Sequence, residues 1–152
     1  MKPYFNVLQG KIAHYEQDVT RHIAGFFTDD ILTCCFIVFT GIHNGKRRIS
    51  VFHADLYVFN FNQEQLFQEL AWVGKSASCE FFINANNDGA SLLTFISQLN
   101  QMQIPANVIK IHPNDGNHTE MAVTFDQQNK VKGYTVQTFE RQHFSKEILN
   151  HP

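Results

Sequence analysis

Apolar residues recur along this chain at two periods, and the change from one to the other predicts most of its elements. Residues 34–40 (CCFIVFT) form a continuous apolar run of strand length, rich in β-formers. Asn44-Gly45 follows, a pair suited to a type I′ turn because both central positions need φ > 0. Residues 47–53 (RRISVFH) then make the return strand. Farther on, Leu66, Phe67, Leu70 and Val73 fall at helical spacing and predict a buried stripe. Asn62 can cap that helix with Gln65 as the reciprocal partner, and Gly74 is a natural stop. A second helix opens at Asp88, carries Leu92, Phe95, Ile96, Leu99 and Met102 on one face, and ends before Pro105.

Strands are expected at residues 79–84 (CEFFIN), 108–112 and 119–125, the last with Met121, Val123 and Phe125 alternating with polar neighbours. Residues 126–129 read as a turn and 131–137 as the returning hairpin arm. Residues 5–15 fit a strand, 18–27 a short helix or a loop, and the tail from Phe139 a final short helix. Two helices set among strands that close in hairpins predict an α+β fold, with mixed β-sheets in a layered, sandwich-like core. The absence of repeats or a linker-like tract makes residues 1–152 one expected domain.

Composition narrows the function. Apolar residues are 43 % and charged residues 17 %, with 15 phenylalanines, so the chain has the means to build a core. Twelve Lys and Arg against fourteen Asp and Glu give a formal charge of −2, without the basic excess that phosphate neutralisation demands of a nucleic-acid binder. No apolar run reaches membrane-spanning or signal-peptide length, so no membrane association is expected. Three cysteines, two of them adjacent, do not suit a disulfide framework, and a reducing cytoplasm is the expected compartment, with delivery into another cell as the alternative.

The hairpin carries candidate chemistry. With Asn44-Gly45 as a two-residue turn, His43 faces Lys46 and Phe36 faces His53. Cys34, Phe36 and His53 then share a face, and Cys35 takes the other. Cys34 and His53 become diagonal neighbours, with Cα atoms about 7–8 Å apart. A thiol beside an imidazole can form a thiolate–imidazolium pair, which supplies both nucleophile and acid for acyl transfer. A bulge or a longer turn would exchange the two cysteines. The competing reading makes both cysteines core filler and His53 a strand-end residue.

The stretch Thr28-Asp29-Asp30-Ile31-Leu32-Thr33-Cys34, followed by an apolar strand, a turn and a strand ending in His53, resembles the chemoreceptor glutamine deamidase family (CheD). That family has a threonine six residues before its nucleophilic cysteine and a histidine at the end of the next strand. LTCCFIVF and FHAD are also similar to the protein N-terminal asparagine amidohydrolases, and both families are similar to the catalytic domain of cytotoxic necrotizing factor. The later order fits too: the helical SLLTFISQLNQMQIP, the Asp115-Gly116 turn and MAVTFDQQNKVKGYTV extend the likeness across residues 28–138. The resemblance implies Cys34 as nucleophile, His53 as general base and Thr28 as the residue that orients the histidine. Asp55, beside His53, is a competing orienter, and Thr28 also reads as a turn hydroxyl.

The expected activity is deamidation of a Gln or Asn side chain on a protein substrate, with no cofactor and no metal. Backbone N–H groups around residues 33–35 are the expected oxyanion donors. Ile31, Leu32 and Thr33 replace the family's glycines, and no proline follows Leu56. Two rival readings stand beside this one: an inactive binding domain on the same fold, and a thiol hydrolase acting on a small amide or ester. His14, His22, His112 and His118 lack compact metal spacing. Lys46-Arg47-Arg48 reads as a solvated tip or a dock for an acidic partner. Asn84, Asn86 and Asn87 read as capping residues, and residues 57–61 (YVFNF) as core or a substrate groove.

Overall fold

The computed structural model describes residues 4–17, 25–28, 34–55, 63–84, 92–111, 121–125 and 131–136. Their elements are β1 (Tyr4–Asn6), β2 (Ile12–Glu16), β3 (Gly25–Thr28), β4 (Cys34–His43), β5 (Lys46–Asp55), α1 (Gln63–Val73), β6 (Lys75–Asn84), α2 (Leu93–Gln101), β7 (Ala106–Ile111), β8 (Met121–Phe125) and β9 (Val131–Val136). The fold is α+β with two mixed sheets. The first runs β1-β3-β8-β9 and the second β2-β5-β4-β6-β7. Each has one parallel pair, β1 with β3 and β6 with β7, and the latter is bridged by α2 as a parallel crossover requires.

The β4–β5 hairpin forms as its sequence dictates, with Asn44 at φ 50° and Gly45 at φ 77°. Both strands run longer than the apolar patterns alone outline. Sheet alternation then divides the interior into two cores. Phe36 and Val38 of β4, Ile49 and Val51 of β5, and Phe82 of β6 pack against Phe5, Phe26 and Val123 of the first sheet. Cys35, Ile37, Phe39, Phe81 and Ile83 face the other way, onto Leu66, Leu70 and Val73 of α1 and Leu92, Phe95 and Leu99 around α2. β4 is covered on both faces, which is why it reads as an unbroken apolar run rather than an alternating one. Phe95 meets Phe39 and Phe81 edge-on, at ring separations of 6.3 and 5.6 Å.

Several expectations are corrected. Residues 5–15 are two strands in different sheets, parted by a turn. Residues 25–27, expected as helix or loop, belong to strand β3. Phe67 is 47 % exposed, and Glu69 takes the buried place on α1 beside Leu66, Leu70 and Val73. The expected start of the second helix at Asp88, residues 57–61 and the tail from Phe139 lie outside the described residues. No helix among the described residues is long and apolar enough to cross a membrane.

Candidate active site

The register of the hairpin is the one its turn dictates: Cys34 pairs with Asp55, Cys35 with Ala54 and Phe36 with His53. Position 34 therefore heads β4 on the strand face shared by Phe36 and His53. Cys35 belongs to the core on the helix side and is fully buried. Cys79 is buried there as well. Burial, with Cys35 and Glu80 adding to it, pushes its thiol well above the ordinary cysteine range.

His53 lies between the sheets, 1 % exposed, and Thr28 at the end of β3 is equally buried. Thr28 Oγ1 lies 2.7 Å from His53 Nδ1 and donates its own proton to the Val7 carbonyl at 2.6 Å. A hydroxyl has one proton to give. With that proton on Val7, Thr28 can only accept from the ring, so Nδ1 carries the hydrogen and Nε2 the lone pair. Nε2 is shielded from solvent. Of the two candidate orienters, Thr28 makes the bond to Nδ1, and Asp55 stands in register with Cys34.

The backbone of His53 is held from the β2 side. Its N–H donates to the Lys11 carbonyl at 3.2 Å, and its carbonyl accepts from the Gly10 N–H at 2.8 Å. Sequence reasoning missed these partners and the Val7 carbonyl. Gly10 after Leu8-Gln9 is the turn signal that marks the segment.

No family model and no curated protein matches the chain.

A second polar group, also missed, occupies the opposite face of β5. Ser50 donates to Glu69 Oε2 at 2.6 Å, and His14 Nε2 lies 2.8 Å from the same oxygen. Trp72 stacks on the His14 ring at 3.8 Å, with the Arg48 guanidinium 4.8 Å from the Trp72 ring centre. Arg48 also bonds Glu16 Oε2 and the Trp72 carbonyl, each at 2.8 Å. That second bond satisfies a carbonyl in the last turn of α1, which has no basic residue of its own there. Arg48 is thus a bridge between sheet and helix, which corrects its reading as part of a solvated tip. The group fastens α1 to the sheet behind His53. Among the described residues, no three His, Cys, Asp or Glu side chains gather as a metal ion requires. Thr33, Asn86, Asn87, His112, His118 and the Asp115-Gly116 turn lie outside the described residues.

Proposed function

We propose that the protein is a cysteine-dependent amidohydrolase that converts a Gln or Asn side-chain amide of a protein substrate to the acid, with Cys34 as nucleophile and His53 as base. The observation that carries the reading is the buried Thr28–His53 hydrogen bond, relayed to the Val7 carbonyl, beside the row where β4 begins at Cys34. The bond fixes the tautomer with Nδ1 protonated, the form in which Nε2 carries the lone pair that a base must offer a thiol proton. The order of motifs shared with the chemoreceptor glutamine deamidases, from Thr28 through Cys34 to His53, supports the same assignment.

In this mechanism His53 Nε2 takes the Cys34 proton, and the thiolate attacks the amide carbon. The tetrahedral intermediate collapses as the imidazolium returns the proton to the departing nitrogen, leaving a thioester and ammonia. Nε2, shielded from solvent until then, deprotonates a water that takes the place of the departed ammonia, and that water attacks the thioester. The proton passes back to sulfur, giving a carboxylic acid and free Cys34. Thr28 holds the ring throughout, and accepts more strongly from the imidazolium than from the neutral form. Three cysteines, two of them adjacent, do not suit a disulfide framework, which favours a cytoplasmic site of action.

The test is competitive alkylation followed by substrate mass measurement. At pH 7 Cys34 should react with iodoacetamide faster than the buried Cys35 and Cys79, and His53→Ala should slow it by about 10²-fold, the lower end of what a positioned base supplies. A protein substrate should gain about one mass unit and release ammonia with wild type and not with Cys34→Ala. Equal, slow labelling of all three thiols would leave a binding domain as the better reading.

A further inference from the structure

We propose that Gly10 is a positioning residue for His53, acting as the first residue of a β-bulge that aims the base; the inference rests on the catalytic reading above. The regular pairing of β2 with β5 runs from Glu16↔Arg48 to Ile12↔Phe52, and its next row would oppose Lys11 to His53. Instead two residues face one. His53 accepts from the Gly10 N–H at 2.8 Å and donates to the Lys11 carbonyl at 3.2 Å. Gly10 has φ +76°, the left-handed value that the first residue of a glycine bulge requires. The Lys11 N–H also bonds the Leu8 carbonyl at 3.0 Å, closing a turn over residues 8–11 with Gly10 third, where a type II turn places its left-handed residue. Turn and bulge are therefore one unit built on one glycine.

The unit reaches the histidine three times. Gly10 and Lys11 hold both backbone groups of His53. Val7, at the other end of the turn, donates its N–H to Phe27 at 2.9 Å and accepts the Thr28 hydroxyl that receives Nδ1–H. Main chain and ring are thus registered to the same five residues, 7–11, as the chain passes from the first sheet to the second. Bulges re-aim side chains and gather beside active sites. Space does not explain the glycine, since a Cβ at position 10 meets no atom within 4 Å. Backbone conformation does, so substitutions rank by their tolerance of positive φ.

The experiment measures the pH–rate profile of Cys34 carbamidomethylation in the full chain for Gly10→Asn, Gly10→Ala, Gly10→Val and Gly10→Pro, with His53 ¹⁵N shifts recorded alongside. Gly10→Asn should keep the wild-type profile and tautomer. Gly10→Val should lose at least about tenfold at pH 7, its profile moving toward that of a thiol without a base. Gly10→Ala should fall between them. Gly10→Pro, which loses the N–H, should resemble His53→Ala; if it does not fold, the other three still decide. A lowered melting temperature with an unchanged pH profile and unchanged tautomer in Gly10→Val would overturn the inference. Slow, His53-independent labelling of Cys34 in the wild type would instead overturn the catalytic reading.

Discussion

The Thr28 hydroxyl serves two polar groups at once, and replacing it tests both. Thr28→Val keeps the shape but leaves a buried Nδ1–H and a buried Val7 carbonyl without their shared partner. Leaving such groups unsatisfied costs about 1–3 kcal/mol, readable as a lower urea midpoint. The variant should also mix the two His53 tautomers and slow Cys34 alkylation, and Thr28→Ser should restore all three properties. Wild-type stability and an unchanged tautomer in Thr28→Val would show that the ring is held by something else. Thr28 enters the sequence reading only through the resemblance, whose motif sets a threonine six residues before the cysteine. The Val7 carbonyl does not enter it: a backbone acceptor leaves no mark in residue identity, and it meets Thr28 from 21 positions away.

Among elements, legibility follows how local the cause is. Asn44-Gly45 specifies the hairpin within two residues, so the register that pairs Phe36 with His53 follows from the turn alone. α1 is harder. Periodicity counts apolar positions and has no means of counting a carboxylate whose partners, Ser50 and His14, lie 19 and 55 residues away. It therefore places Phe67 in a buried stripe in which Glu69 stands. The N-terminal segment misleads for a related reason: residues 5–8 and 12–15 are each apolar enough for a strand, and the break between them, Gln9-Gly10-Lys11, is only three residues long. The seam between α1 and β4 makes its own prediction. A Cβ added to Gly41 would lie 2.6 Å from the Val73 carbonyl oxygen, a backbone atom at the end of α1 with no rotamer to escape by. Gly41→Ala should destabilise by about 1–3 kcal/mol, the usual range for forced overpacking. At roughly 2–4 °C per kcal/mol for a chain of this size, thermal melting resolves that loss.

At the scale of the whole molecule, the second sheet is a wall shared by two interiors, and two of its carboxylates respond to pH in opposite senses. Glu16 on β2 is held below the usual carboxylate range, first by its hydrogen bond to Arg48 and then by the charges of Arg48 and Lys46. A depressed carboxyl favours the folded state above its unfolded value and loses that contribution as pH falls through the folded one. Glu80 on β6 is raised by burial. Its folded form resists ionisation, so it favours folding at low pH and opposes it once the unfolded carboxyl has ionised, above about 4.5. Glu80→Gln should therefore raise the melting temperature at pH 7, by a few degrees at most. Glu16→Gln should lower it at the same pH, and only slightly, because Glu16 is 37 % exposed and its pairs are partly screened. Both differences should close as pH falls: that of Glu80→Gln near pH 4, where glutamic acid and glutamine are both neutral, and that of Glu16→Gln lower still. Melts of the two variants and wild type from pH 3 to 7 should thus give two curves that meet wild type in acid and depart from it in opposite directions at neutrality. If both variants shift the same way at pH 7, burial is not what governs Glu80.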